Sequence, residues 1–315
     1  MIIAAMIKIM NNTLRRLAEN HMGAGMLSKQ NLLDSDAHGG EETNVATAHE
    51  LSPTEVKGLR SRAASRITRQ EIQNQINLED IISWADQNLA CEQDFHDESV
   101  EIDIDWFNQF SKYAMGVSSD VMKKGWAKVL ASEIRNPNSF SLRTLNLMSM
   151  LSRQEAETIR KLAKYVVYSS SEKEAYILNS KQIEEIEFDD ILLLGELKLI
   201  DSSSELGLTI KRLDEGDFNC LFRNRKVGLF FNTEKDQMFF RIYKLTTTGV
   251  ELMKLNNDVN VDIEYLKEYA ESLTKIDKTM NIMCSEILNL SENKVDLDEE
   301  HPYFRIGPKF AENKQ

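Results

Sequence analysis

Apolar residues recur every three or four positions through most of the first half of the chain, and every second position through parts of the second. The first period predicts amphipathic helices and the second predicts half-buried strands. Ser52-Pro53-Thr54-Glu55 is a capping box with proline at the first helical position. It predicts a long helix to about Leu89, with a break near Asn74–Asn77 and a buried stripe of Val56, Leu59, Ala63 and Ile67. Asp103 is placed to cap a helix holding Trp106, Phe107, Phe110 and Tyr113, closed by Gly116. Ser118 precedes a helix with Met122, Trp126, Val129, Leu130 and Ile134 on one stripe, ended at Asn136-Pro137 because a residue before proline is pushed out of the α region. Ser139 or Ser141 can cap the next, with Leu142, Leu145, Met148 and Leu151. Ser152 and Glu155 form a second capping box, opening a helix to about Tyr168.

Beyond Tyr168 the pattern is mixed. Tyr176–Leu178 reads as a short strand, Ser180–Ile186 as a helix, and Phe188–Ile200 as a helix, a stop at Gly195 and a strand. Leu208–Leu213, Phe218–Phe222, Val227–Phe231 and Met238–Tyr243 alternate as an antiparallel sheet would, and Thr246 is set to cap a following helix. Ile263, Leu266, Tyr269, Ala270, Leu273, Ile276, Met280, Met283 and Ile287 keep helical spacing, which predicts one long helix up to residue 290. The last 25 residues are polar and acidic and read as a tail. At the other end, residues 2–20 put Ile2, Ile3, Met6, Ile9, Met10, Leu14 and Leu17 largely on one helical face. Residues 23–50 lack any apolar period and read as a linker.

Composition narrows the function classes. The 315 residues suffice for two cores, and 42% hydrophobic with 28% charged content is that of a soluble globular chain. A formal net charge of −13 argues against broad coating of nucleic acid, though not against a local basic face. Cys91, Cys220 and Cys284 are far apart, which makes reduced thiols in a cytoplasmic protein the expectation. The five histidines are scattered, so no metal site and no cofactor is expected. No apolar run approaches the length of a membrane span, and three basic residues are few for lipid anchoring of the first segment, so no membrane partner is expected.

Two resemblances add to this reading. Trp126-Ala127, Leu130-Ala131, Glu133, Pro137, Ser139-Phe140-Ser141-Leu142-Arg143-Thr144-Leu145, Leu151-Ser152 and Glu155-Ala156 together resemble the signature of an uncharacterised bacterial family, a domain of unknown function of the 2806 type. Asn138 stands where that family usually has glycine, which asks for a left-handed turn residue. The likeness covers roughly residues 70–255 and implies a mostly helical bacterial protein, with no activity or catalytic residue to carry over. Separately, the run Ile191–Ile200 with Tyr243–Leu252 resembles the winged helix of bacterial regulators. The expected fold is therefore mainly α with a smaller α+β part. Its segments are an N-terminal helix (1–22), a linker (23–51), a helical domain (52–168), a winged-helix-like module (169–255), a long C-terminal helix (256–290) and an acidic tail (291–315).

Two clusters could hold an anion. Arg223, Arg225 and Lys226 fall at a hairpin tip, as a basic wing would, and Arg62, Arg66 and Arg69 share one face of the first long helix. The bland readings are a charged turn and a solvated face. Residues 184–196 carry acids and no Lys or Arg, which would repel a duplex from a recognition helix. Glu133 and Arg143 flank the turn at Pro137 and read as a structural pair rather than as catalysts. No catalytic set can be singled out. The leading expectation is a non-enzymatic adaptor or regulator that binds protein, its own copies included. The alternative is a DNA-associated regulator or phage-defence component using both basic clusters.

Overall fold

The computed structural model describes residues 52–90, 102–169, 172–179, 186–201, 207–211, 220–290 and 295–311. The expected N-terminal helix and linker lie outside the described residues, as does the helix expected over Ser180–Ile186 except for Ile186, which is in a bend. The chain divides into two compact units, Met1–Asn138 and Ser139–Gln315.

In the first unit α1 (Pro53–Ala90), α2 (Ile104–Ala114) and α3 (Asp120–Arg135) form a helical bundle. The Ser52 capping box is made: Ser52 N–H donates to Glu55 Oε2 at 2.8 Å, and Glu55 N–H donates to Ser52 Oγ at 3.4 Å. Asp103 caps α2 by accepting from the N–H groups of Asp105 and Trp106. Trp126 is fully buried, with Phe110 edge-on at 5.5 Å and Trp106 stacked on Phe110 at 5.2 Å. Polar ties fix the packing of α1. Asn77 Nδ2 donates to the Met115 carbonyl at 2.9 Å, and buried Lys123 pairs with Asp80 at 2.7 Å. Asn136 is extended before Pro137, and Asn138 is left-handed at φ 68°, as the turn demands.

The second unit opens with α4 (Leu142–Met150) and α5 (Arg153–Leu162), the latter held by the Ser152–Glu155 capping box. Nine strands then form one antiparallel sheet among the described residues: β1 (Val166–Ser169), β2 (Ala175–Leu178), β3 (Gly207–Lys211), β4 (Cys220–Asn224), β5 (Val227–Asn232), β6 (Gln237–Lys244), β7 (Asn281–Leu290), β8 (Val295–Leu297) and β9 (Phe304–Ile306). The order is β3-β6-β2-β1-β4-β5-β7-β8, with β9 on the same edge of β7. Helices α6 (Phe188–Glu196), α7 (Thr247–Lys254) and α8 (Ile263–Ile276) and the short α9 (Pro308–Ala311) complete it. Strand β6 alternates as its sequence suggests, with Met238, Phe240 and Ile242 inward and Phe239 and Arg241 outward. Phe222, Phe231 and Phe240 meet edge to face at 4.9–5.7 Å, which is the preferred geometry for ring quadrupoles. The Tyr265 hydroxyl donates to the Leu178 carbonyl and accepts from the Leu178 N–H, so the strand edge is satisfied where α8 crosses it.

One buried carboxylate ties the middle of the unit to its start. Glu251 of α7 accepts from the Ser141 N–H (2.8 Å), the Ser141 hydroxyl (3.0 Å) and the Thr144 hydroxyl (2.5 Å) on a single oxygen, Oε2. It thereby occupies the N-terminus of α4, where free N–H groups favour an anion. The Ser141–Thr144 turn and the Thr246–Leu252 run, both singled out in the sequence, turn out to be partners.

Several expectations are corrected. The chain is mixed α and β rather than mainly α. The hairpin β4–β5 is no projecting wing, because β4 also pairs with β1 and β5 with β7. The long C-terminal helix stops at Ile276, and residues 281–290 are a strand. The acidic tail supplies β8, β9 and α9. Helix α1 runs unbroken through Asn74–Asn77, and its expected buried stripe is not buried: Leu59 is 42% and Ile67 56% exposed. The segment Leu197–Ile200 is a turn with one bridge, Ile200 to Leu245, and α6 ends at left-handed Lys198 rather than at Gly195.

Trp126→Ala is expected to cost about 3–5 kcal/mol through the cavity it leaves. Trp126→Phe should cost about 1–2 kcal/mol, because the indole N–H has no partner among the described residues and no hydrogen bond is broken. Denaturant midpoints at constant slope measure both. Glu251→Ala strands two hydroxyls and an amide and should cost about 2–3 kcal/mol, read in the same way.

Candidate functional site

The first 24 residues of α1 stand out because they touch little. From Pro53 to Ile76 every residue is exposed or half-exposed, and burial begins abruptly at Asn77 and Leu78. At about 1.5 Å per residue this is a helical stretch roughly 36 Å long. A helix repeats its face every 3.6 residues or so, which puts Val56, Leu59, Ala63 and Ile67 in line with the face that Leu78, Ile81 and Ala85 bury further on. The apolar seam therefore continues past the point where described partners cease. Between the two halves of the seam lie Gln70 and Asn74, joined side chain to side chain at 2.9 Å.

Beside this seam runs the arginine face. Arg62, Arg66 and Arg69 line a shallow trough with Ser65 and Gln73, and the Arg62 guanidinium lies over Gly58. Lys57 and Arg60 add two cations on the same stretch, against the carboxylates of Glu55 and Glu71. Glu55 is itself engaged, its carboxyl held below the usual range by the Ser52 hydroxyl and N–H. The excess is net positive in a chain of net charge −13.

The second basic cluster has a different character. Arg223 is mostly buried and pairs with Glu172 at 2.8 Å. Arg225 is left-handed at φ 53° in the β4–β5 turn, with Nη1 3.4 Å from Asn260 Oδ1. Lys226 is exposed, 3.9 Å from Glu286. Nearby Tyr168 has its phenol pushed up to about 12 by burial, then by Glu172. The cations of this turn are thus tied into the sheet's own surface. The two clusters belong to different units. Of the expected pair, Glu133 Oε1 accepts from the Asn138 N–H at 2.6 Å across the turn, and Arg143, in the other unit, is exposed in the first turn of α4.

A groove of about 460 Å³ lies between β6 and α8 in the second unit, lined by Phe239, Arg241, Tyr269, Ile276, Lys235 and Asp277 among others. Its one carboxylate is committed to structure. Asp277 takes hydroxyl bonds from Thr233 and Thr279 at 2.7 Å, with Lys235 at 3.5 Å. Desolvation acts to raise its pKa, but the Thr279 and Thr233 hydroxyls outweigh that and hold the carboxyl below its ordinary value. Burial pushes the Cys284 thiol up to about 12, so it stays protonated and a weak nucleophile. No group of three or more His, Cys, Asp or Glu among the described residues could hold a metal, and no described helix is long and apolar enough to cross a membrane.

A family model described as a protein of unknown function, DUF2806, matches residues 61–270, more than half of the chain. The chain belongs to the DUF2806 family. The DUF2806 region begins one residue before Arg62 and ends at Ala270 within α8, so it takes in the arginine face, the bundle and the sheet as far as β6. Strands β7, β8 and β9 fall beyond it. Searches of curated proteins and of solved structures gave no match.

The sequence singled out Arg62, Arg66 and Arg69 correctly as neighbours on a helix, but periodicity could not show that the helix is exposed there among the described residues. A lowered carboxyl pKa stabilises the fold above the unfolded value near 4, and that contribution is lost as pH falls through the folded value. Asp277→Asn should therefore lower the melting temperature at pH 7 and flatten the decline between about pH 4 and pH 2, as a thermal-melt series in pH would reveal.

Proposed function

We propose that the chain is a non-enzymatic interaction protein whose partner docks on the first half of α1. The observation carrying this reading is the seam of Val56, Leu59, Ala63 and Ile67, the first half-buried and the others exposed, continuous with a buried face and flanked by arginines. An apolar strip rimmed by polar groups is how an amphipathic helix presents itself to a partner. The flanking cations select for acidity, since like charges beside a docking seam repel and opposite ones steer approach. The partner is accordingly an acidic amphipathic protein segment. Each apolar side chain buried fully contributes about 1.5–3 kcal/mol, whereas an exposed ion pair contributes less than about 1 kcal/mol. The seam supplies affinity and the arginines supply choice.

A second reading takes the same arginines as phosphate contacts, as for a DNA-associated regulator. The sequence offered two clusters for this role, and the ion pairs of Arg223 and Lys226 favour assigning it to α1 alone.

A fluorescent helical peptide with leucine on one face and glutamate on the flanks, titrated by anisotropy, tests the first reading. Binding should weaken about tenfold on Ile67→Asp, weaken and lose salt dependence when Arg62, Arg66 and Arg69 become Ala, and ignore replacement of Arg223, Arg225 and Lys226 by Ala. No binding, or indifference to Ile67→Asp, overturns it. A duplex of about 20 base pairs run in parallel serves the second reading: binding whose log–log salt slope is near −0.9 per phosphate, unchanged by Ile67→Asp, would favour DNA.

A further inference from the structure

The second unit carries a helix of the kind that α1 asks for. Among the described residues, α6 leaves Phe188 74% and Leu192 47% exposed, one helical turn apart. Asp189 and Glu196 are exposed beside them, and no Lys or Arg interrupts the helix. We propose that the acidic partner of α1 is α6 of a second copy of this chain, so that the protein associates with itself through two unlike faces. The inference rests on the reading of α1 as a docking surface and names what docks there.

Charge selects α6 among the exposed apolar faces. The first half of α1 bears Lys57, Arg60, Arg62, Arg66 and Arg69 against Glu55 and Glu71, so the same stretch of a second copy would bring like charge to like charge. In the second unit, Phe239 and Ile276 are exposed, but they share their groove with Lys235, Arg241 and Lys275. Leu142 and Met150 are exposed on α4, which carries Arg143 and no acid. Both would repeat the repulsion. Helix α6 does the opposite. Asp190 is held down on its own unit by Lys161 at 3.0 Å, and Glu187 lies 3.9 Å from the same ammonium. Asp189 and Glu196, seven positions apart, fall on one side of the Phe188–Leu192 strip and point the charge of the helix outward.

The two strips also match in length and relief. Leu59 to Ile67 on α1 and Phe188 to Glu196 on α6 each cover about 12 Å of helix axis. Arg62 and Arg69 repeat the spacing of Asp189 and Glu196, so a carboxylate row can lie along a guanidinium row, and arginine takes carboxylates two-pronged. Ala63 lies within one strip and Gly195 within the other, and the space above Gly195 is open, which lets a facing helix approach closely. Phe188 and Leu192 supply the apolar burial, and the exposed ion pairs set the choice of face. One helix laid on another is smaller than a standard protein interface, so the association is weak, with a dissociation constant of about micromolar. Because the joined faces are unlike, a pair closed by two-fold symmetry makes the contact twice, and without closure copies add head to tail.

The test is sedimentation velocity of the full chain across about 1–100 μM, at about 50 mM and about 500 mM salt. The wild type should associate as its concentration rises, and less at the higher salt. Phe188→Asp and Ile67→Asp, both at exposed positions, should each weaken association about tenfold or more with the melting temperature unchanged. An equal mixture of these two variants should associate more than either alone, because one chain keeps its α6 face and the other its α1 face. Arg66→Glu and Asp189→Arg should each weaken association, and the double variant should recover it. A wild type that stays monomeric overturns the proposal. So does a Phe188→Asp chain that associates as the wild type does, or a mixture no better than its components, which would mean that like faces meet. The glutamate-and-leucine peptide separates this inference from the docking reading. Peptide binding by a chain that stays monomeric defeats only the choice of α6, whereas neither peptide binding nor association defeats both.

Discussion

A carboxylate withdrawn from water needs its hydrogen bonds supplied from the protein, and in the second unit that demand falls on residues 107–110 positions away. Glu251 takes its hydrogen bonds from Ser141 and Thr144. Because α7 follows directly on β6, anchoring Glu251 at the mouth of α4 fixes the start of the unit to the end of that strand. The same contact satisfies the orphan N–H of Ser141, the N-cap of α4, while the Ser141 hydroxyl takes the Thr144 N–H. Hydrophobic burial by Phe222, Phe231 and Phe240 supplies the larger energy, but it is less directional. The Glu251 bracket decides which residues meet.

What could be read from the sequence was mostly local. Both capping boxes, the Asp103 cap, the Asn138 turn and the alternation of β6 depend on residues within four positions of each other, and each is found where its spacing predicts. The failure at residues 281–290 has a physical cause. Met280 to Ser285 are all buried, Asn281 and Ser285 included, so the strand is covered on both faces and shows no alternation of apolar with exposed polar residues. Met280, Met283 and Ile287 then mimic a helical stripe. Strands β8 and β9, three residues each, owe their existence to pairing with β7, which nothing local announces.

The candidate site was half legible. Three arginines at i, i+4 and i+7 must share a helix face, whatever the rest of the fold does. Their exposure among the described residues, and the paired state of Arg223, could be learned only from tertiary structure. An amphipathic pattern states what a helix would bury, not whether it is buried, and Leu59 and Ile67 show the difference.

The place of β7 also has a consequence for the chain as it emerges from the ribosome. Strand β5, with Leu229 and Phe231 in the core, has β4 on one side and only residues 281–290 on the other. Until that late stretch has been synthesised, this apolar strand has an edge of unpaired amides, ready to template pairing with another nascent chain. Vectorial synthesis therefore leaves the second unit open for most of its translation and lets it close only near the end. Polysomes bearing chains stalled before residue 281 would be the species most in need of a chaperone.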